Sequence, residues 1–309
     1  MERPLTFRSN GEDLVATLSL PDGGPKTPDF GIVFAQSGAR GRLGNTFHYP
    51  YFARRFAALG VPTFRFDPAG LGDSTGTIET GNMRDLYGKI AVGRFVGDTL
   101  AAIDEFGRHV QPKRLFLFGV CGGAVTALLT APRSPKIDGL VLLSVPVLLD
   151  SAQMGTLGRI PKSYAREYLI KNYAKKLYSL NAWKRFLTGK SDMQRIFHYA
   201  KASLTPAKRT IVSASDPIDK HPHPLFNTHF LEAMDALTER RSRLLIMFGQ
   251  EDYFRHEWEA EFYKIYWDRR PAYKRQIDLH YIPGCNHMFT LREWQKKAIG
   301  LSMEWLATF

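Results

Sequence analysis

An apolar run, Arg114–Phe118 (RLFLF), leads without a spacer into Gly119-Val120-Cys121-Gly122-Gly123 and on into GGAVTALL. Few folds accept that succession. Five β-formers bounded by glycine read as a fully buried strand, and Gly122–Leu129 reads as a helix. A residue caught between the two takes strained backbone angles. Small residues two before and two after it let strand and helix approach closely. The turn also sets Cys121 at the helix N-terminus, where the positive end of the dipole favours an anionic sulfur. The N–H of Gly122 then points at a developing oxyanion. G-x-C-x-G alone is a common pattern; its place between strand and helix makes it informative. The plainer alternative is a glycine-rich turn around a buried structural cysteine.

The same alternation governs the N-terminal half. Leu14–Leu20 (LVATLSL) alternates after an Asn10-Gly11 turn, which predicts an opening antiparallel hairpin. Ile32–Ala35 and Thr63–Asp67 read as strands, and Tyr51–Leu59 as a helix stopped by Gly60. Val92–Phe106 is a helix and Leu140–Val145 a further strand. Short apolar runs alternating with amphipathic stretches predict a mostly parallel sheet with helices on both faces. From Asp150 to Arg241 the pattern turns aromatic, basic and helical; strands return at Leu244–Phe248 and Ile277–Ile282, and Glu293–Leu306 closes as a helix. The organisation expected is a core of residues 1–149 and 242–309 with a helical insert, 150–241, between the sixth and seventh strands.

The insert also holds the charge. Between Ser151 and Lys220 there are 14 Lys/Arg against 4 Asp/Glu, so most of the formal net charge of +12 sits in this stretch. A localised positive field attracts acidic partners: coenzyme A, an acidic carrier protein or an anionic membrane surface. Otherwise it is a solvated face. No nucleic-acid-binding motif accompanies it, so nucleic acid is not an expected partner. Cys121 and Cys285 are too few for a disulfide framework, the first residues lack an apolar signal core, and no run approaches the roughly 18 apolar residues that span a bilayer. These features predict a cytoplasmic protein with free thiols.

A nucleophile needs a base, and the base an orienter. His287 lies in PGCNHMF directly after the strand IDLHYI, and Asp252 in FGQEDYF directly after LLIMF. Three strand ends thus supply cysteine, acid and histidine in the order Cys121, Asp252, His287. Glu251, beside Asp252, is the other candidate for the acid. A second oxyanion donor is expected from the loop after Ile32–Ala35, at Ala39 or Ser37, and Arg40 and Arg42 on the same loop are candidates to face an anionic substrate. Asp67–Ser74 (DPAGLGDS) reads as a structural turn. Cys285 reads as a small buried residue, with a redox partnership to Cys121 as the alternative. His221, His223 and His229 fit no standard metal-ligand spacing. No Walker loop or G-x-G-x-x-G is present, so no nucleotide cofactor is expected.

With these residues in place the chain resembles the α/β-hydrolase superfamily over nearly its whole length, which implies an α/β-hydrolase fold with a helical lid at 150–241. Within it, GNTFHYPYFARRFAALGVPTFRFDPAGLGDSTG, FGVCGGAVTALL, DGLVLLSVPV and GCNHMFTLREW resemble the exosortase-A-system-associated hydrolases of bacterial polysaccharide gene clusters. A cysteine nucleophile is more distantly similar to dienelactone hydrolases and some thioesterases. The resemblance makes Cys121, His287 and Asp252 a triad, with cysteine for serine and Ser37-Gly38 for the usual His-Gly. The function it implies is acyl transfer through an acyl-thioenzyme, from an ester or from a thioester of coenzyme A or acyl carrier protein, without a cofactor. The alternative is a non-catalytic ligand-binding protein on the same fold.

Overall fold

The computed structural model describes residues 1–23, 27–36, 38–78, 82–149 and 223–309. Ser37, His221 and the basic stretch of the insert lie outside them. The contacts divide the chain into one unit of Met1–Gln153 with His223–Phe309 and another of Met154–Pro222. Every described residue belongs to the first unit.

Eight strands form one sheet in the order β1-β2-β4-β3-β5-β6-β7-β8. They are β1 (Glu2–Ser9), β2 (Glu12–Ser19), β3 (Phe30–Phe34), β4 (Thr63–Phe66), β5 (Arg114–Val120), β6 (Ile137–Leu143), β7 (Arg243–Gly249) and β8 (Ile277–Ile282). The first two are the expected hairpin, turned through Asn10 and Gly11 at φ 48° and 88°. β2 pairs antiparallel with β4, and every later pairing is parallel. The central strands are apolar without alternation because both faces are covered. Leu117, Leu140, Leu142, Leu244 and Ile246 face one core; Phe116, Phe118, Val141, Leu143, Leu245 and Met247 face the other.

Helices α1 (His48–Ala58), α2 (Met83–Ala91), α3 (Val96–His109) and α4 (Gly122–Thr130) cover the N-terminal half. α1 buries Tyr49, Phe52, Ala53 and Phe56, a helical spacing that seats one face on Phe34 and Phe118. α2 was not expected. Asn82 caps it, its side chain accepting from the Asp85 N–H, and that Asn-x-x-Asp pattern is its sequence signal.

Past the insert the chain forms α5 (Thr228–Glu239), α6 (Tyr253–Trp258), α7 (Pro271–Gln276) and α8 (Arg292–Leu306). α5 revises the expected boundary at Arg241. It belongs to the core unit because Phe230, Met234 and Leu237 are buried, Phe230 edge-on to Trp258 and Phe262. Its helical period is the same inside or outside an insert, so periodicity could not place the border. Residues 147–149 and 225–227 meet in an isolated antiparallel bridge: Leu149 N–H donates to Leu225 O at 2.8 Å and Asn227 N–H to Val147 O at 2.9 Å. Buried Glu257 clamps the first of these segments, Oε1 accepting from the Val147 and Leu148 N–H at 2.7 and 2.9 Å. Among the described residues no helix is long and apolar enough to cross a membrane.

Two glycines test how tightly the turn at Cys121 is built. A Cβ on Gly123 would lie 2.4 Å from Gln36 O, whereas one on Gly300, in α8, would meet nothing within 4 Å. Gly123→Ala is expected to lower stability by about 1–3 kcal/mol through overpacking against backbone. Gly300→Ala is expected to raise it by roughly 0.5–1 kcal/mol through the unfolded chain's lost freedom. Urea unfolding midpoints measure both; equal effects would contradict the close approach.

Candidate active site

Cys121 sits between β5 and α4 with φ 56° and ψ −121°, a positive-φ conformation that side chains avoid. The packing leaves it no other course. A Cβ on Gly119 would fall 2.3 Å from Gly123 O, and one on Gly123 would strike the Gln36 and Ala35 carbonyls at 2.4 and 2.7 Å. Backbone bonds fix the turn: Cys121 N–H donates to Leu143 O and Ala124 N–H to Cys121 O, both at 2.9 Å. Cys121 is the N-cap residue of α4, yet its side chain makes no capping bond, which leaves the sulfur for other partners.

Asp252 and His287 arrive from the next two strand ends. Asp252 is completely buried; its Oδ1 accepts from Phe254 N–H at 2.9 Å and lies 3.2 Å from His287 Nδ1. Glu251 is exposed, so Asp252 is the acid that reaches the imidazole. The histidine loop is tied down at several points. Glu251 N–H donates to Cys285 O at 2.9 Å, and the Asn286 carboxamide accepts from Met288 N–H at 3.1 Å. The Phe254 ring stands edge-on to the imidazole at 4.6 Å. Burial by itself would lower the His287 pKa. The charge and hydrogen bond of Asp252, then those of Cys121, outweigh it and raise the pKa to about 10. The imidazolium form is therefore strongly favoured beside Cys121 and Asp252.

The oxyanion side forms where the loop after β3 crosses the start of α4. A Cβ on Gly122 would lie 2.9 Å from Gly38 Cα, which places Gly38, and Ala39 next in chain, directly beside the start of α4. Ala39 packs on a small cluster of Leu71, Leu86, Ile90 and Phe95. Sequence reasoning missed Tyr87, on α2. Its ring covers Gly38, where a Cβ would come within 3.0 Å of Tyr87 Cε1. Burial raises the phenol's pKa, the charge of Cys121 adds to the rise, and Arg40 opposes it. Tyr87 and exposed Arg40 thus border the site.

Other candidates resolve differently. Arg42 is held by Asp67 and Asp73, the latter at 2.7 Å, so it staples two loops instead of facing a substrate. The Asp67–Ser74 turn is structural as expected: Asp73 N–H donates to Asp67 Oδ2 at 3.0 Å and Ser74 Oγ to Asp67 O at 2.6 Å. Cys285 is buried; desolvation first, then the Asp252 charge, push its thiol up to about 12, which leaves it a packing residue. His223 Nδ1 accepts from Leu225 N–H at 3.2 Å, and His229 pairs with Glu232. Among the described residues no cluster of His, Cys, Asp or Glu is arranged to hold a metal.

Comparison with known proteins bears on the fold and the family. The family model Hydrolase_4, described as serine aminopeptidase S33, matches residues 31–293. Mouse (Mus musculus) monoglyceride lipase is 28% identical over 155 residues, 50% of this chain and 46% of the lipase, so the match spans about half of that relative. Est1E of Butyrivibrio proteoclasticus, solved with ferulic acid, superposes with a TM-score of 0.54 at 18% identity, covering 98% of this chain and 99% of that one. An esterase from Pyrococcus furiosus gives 0.57 at 11% identity, over 100% and 90%. At such identities the solved structures speak to the fold. The matched span includes Cys121, Asp252 and His287, and the chain belongs to the serine aminopeptidase S33 family of α/β-hydrolase enzymes.

Proposed function

We propose that the protein catalyses acyl transfer with Cys121 as nucleophile, His287 as acid–base and Asp252 as its orienter. One observation carries the reading: a strained cysteine at a strand–helix turn shares an imidazole with a buried carboxylate. The esterase and lipase relatives support an ester as substrate class. The family is described as a serine aminopeptidase, and Cys121 stands in this chain at the strand–helix turn proposed to carry the nucleophile.

The sulfur attacks the acyl carbon, and the carbonyl electrons move to oxygen. The N–H groups of Gly122 and Ala39 stabilise that oxyanion. Collapse of the intermediate expels an alcohol or thiol, which takes a proton from the His287 imidazolium, and leaves an acyl-thioenzyme. His287 then removes a proton from water, an amine or an alcohol as this acceptor attacks, and the Cys121 sulfur departs. A thioester is no more stable than the thioenzyme, so sulfur suits a donor that is itself a thioester. Amines compete well against water at a thioester, which favours transfer over hydrolysis. The basic stretch Ser151–Lys220 supports coenzyme A or an acidic carrier protein as donor.

Cys121→Ala is expected to lose several orders of magnitude in kcat on a thioester, and Cys121→Ser to keep the fold with altered activity. Intact-mass measurement after mixing with acyl thioesters should find one acyl group, on Cys121. Wild-type turnover by Cys121→Ala would end the cysteine reading.

Asp252→Asn is expected to drop kcat by about 10³–10⁴-fold and to lower the melting temperature while circular dichroism shows the fold retained, because the imidazole loses both its orientation and its counter-charge. Glu251→Gln should be nearly silent; reversed results would move the acid to Glu251.

Tyr87→Phe removes only a hydroxyl next to the oxyanion loop. A fall in kcat of about 10²-fold at constant KM is expected if the phenol donates to the developing oxyanion. An unchanged kcat would make Tyr87 a wall of the site and no more.

A further inference from the structure

The far end of the loop that carries Ala39 walls a pocket of about 430 Å³ whose lining does not include Cys121. Leu43, Phe47 and Tyr51 form its apolar side, and Arg54, Arg65 and Arg292 its charged side. The arginines come from three elements: α1, β4 and the first residue of α8.

Their partners are too few. Both oxygens of Glu2 are shared between two of them: Arg54 donates to Oε2 at 3.0 and 2.7 Å, and Arg65 to Oε1 at 2.9 Å. Arg65 is 5% exposed, and its Nε is buried without a hydrogen-bond partner. Arg292 has no carboxylate partner among the described residues. It donates to Gln295 Oε1 at 2.6 Å and lies 4.0 Å over the Tyr51 ring. Burial lowers the Arg65 pKa against the opposing pull of Glu2, with small further contributions from the charges of Arg42 and Arg54.

Three guanidiniums and one carboxylate leave two positive charges unmatched. A phosphate monoester carries about that charge at neutral pH, and its oxygens fit the planar fork of arginine in a bidentate way. Phe47, 64% exposed, and Leu43, 42% exposed, are open apolar surface among the described residues, suited to an organic substituent. The volume falls in the usual range for small-molecule sites. We propose that this pocket binds a phosphorylated small molecule, the arginines taking the phosphate and the Leu43–Phe47–Tyr51 wall its organic part. The site does not include Cys121 and does not depend on the acyl-transfer reading.

Isothermal titration of the full chain with inorganic phosphate and with phenyl phosphate tests it. Saturable binding is expected for both, with phenyl phosphate about tenfold tighter. Arg292→Ala should weaken phenyl phosphate by at least about tenfold, and Arg292→Lys should recover only part, since charge returns without the fork. Glu2→Gln should tighten binding, because the competing carboxylate is gone. This increase is one that mere structural damage would not produce. Cys121→Ala should bind as wild type does. No saturable binding up to about 10 mM, binding indifferent to Arg292, or binding lost in Cys121→Ala would each overturn the proposal. Equal affinity for the two ligands would overturn the role of the apolar wall.

Discussion

Three backbone segments meet at the end of β5 at distances that exclude a β-carbon. Gly119 lies against the Gly123 carbonyl, and Gly123 against those of Ala35 and Gln36. That contact joins β5, α4 and the end of β3, and everything near Cys121 depends on it. With the strand and helix so close, the residue between them is forced to φ 56°. The strain is stored in one residue and supported by the packing of the whole sheet. The same proximity lays the loop carrying Gly38 and Ala39 beside Gly122.

The other half of the site is held by polar bonds instead of glycine contacts. Asp252 caps α6 and orients His287 with the same oxygen, so the helix start and the imidazole are positioned together. The loop beyond β8 is fastened to the loop beyond β7 through Cys285 O and Glu251 N–H. A buried carboxylate with an imidazolium at 3.2 Å is a favourable pair, and burial intensifies it by excluding water.

Charge is divided between regions with different work. Arg42 joins the Asp67 turn to the oxyanion loop. Arg54 and Arg65 share Glu2 of β1 at the wall of the pocket that Arg292 also lines. The arginine total alone could not separate these uses, because a staple and a ligand-facing guanidinium are the same residue in sequence. Only the partners distinguish them.

Much of the architecture was legible from residue order. Apolar runs of β-formers at Ile32–Ala35, Arg114–Phe118, Leu140–Val145 and Leu244–Phe248 can be buried only as central strands, and each is one. The gathering of Cys121, Asp252 and His287 was legible too, since parallel strands deliver their C-terminal ends to one edge. What sequence could not give depends on contact through space. α2 is nine residues long, too short for periodicity to stand out, and Tyr87 joins the site only because α2 packs over Gly38. The border at α5 was invisible because a helix has the same 3.6-residue period whichever body it packs on. The pocket of Arg54, Arg65 and Arg292 gathers residues more than 200 positions apart in chain, which no local pattern links. Sequence determined which segments must be buried and in what order they reach the sheet; tertiary packing decided which side chains meet, because that is set by distances the chain closes only when folded.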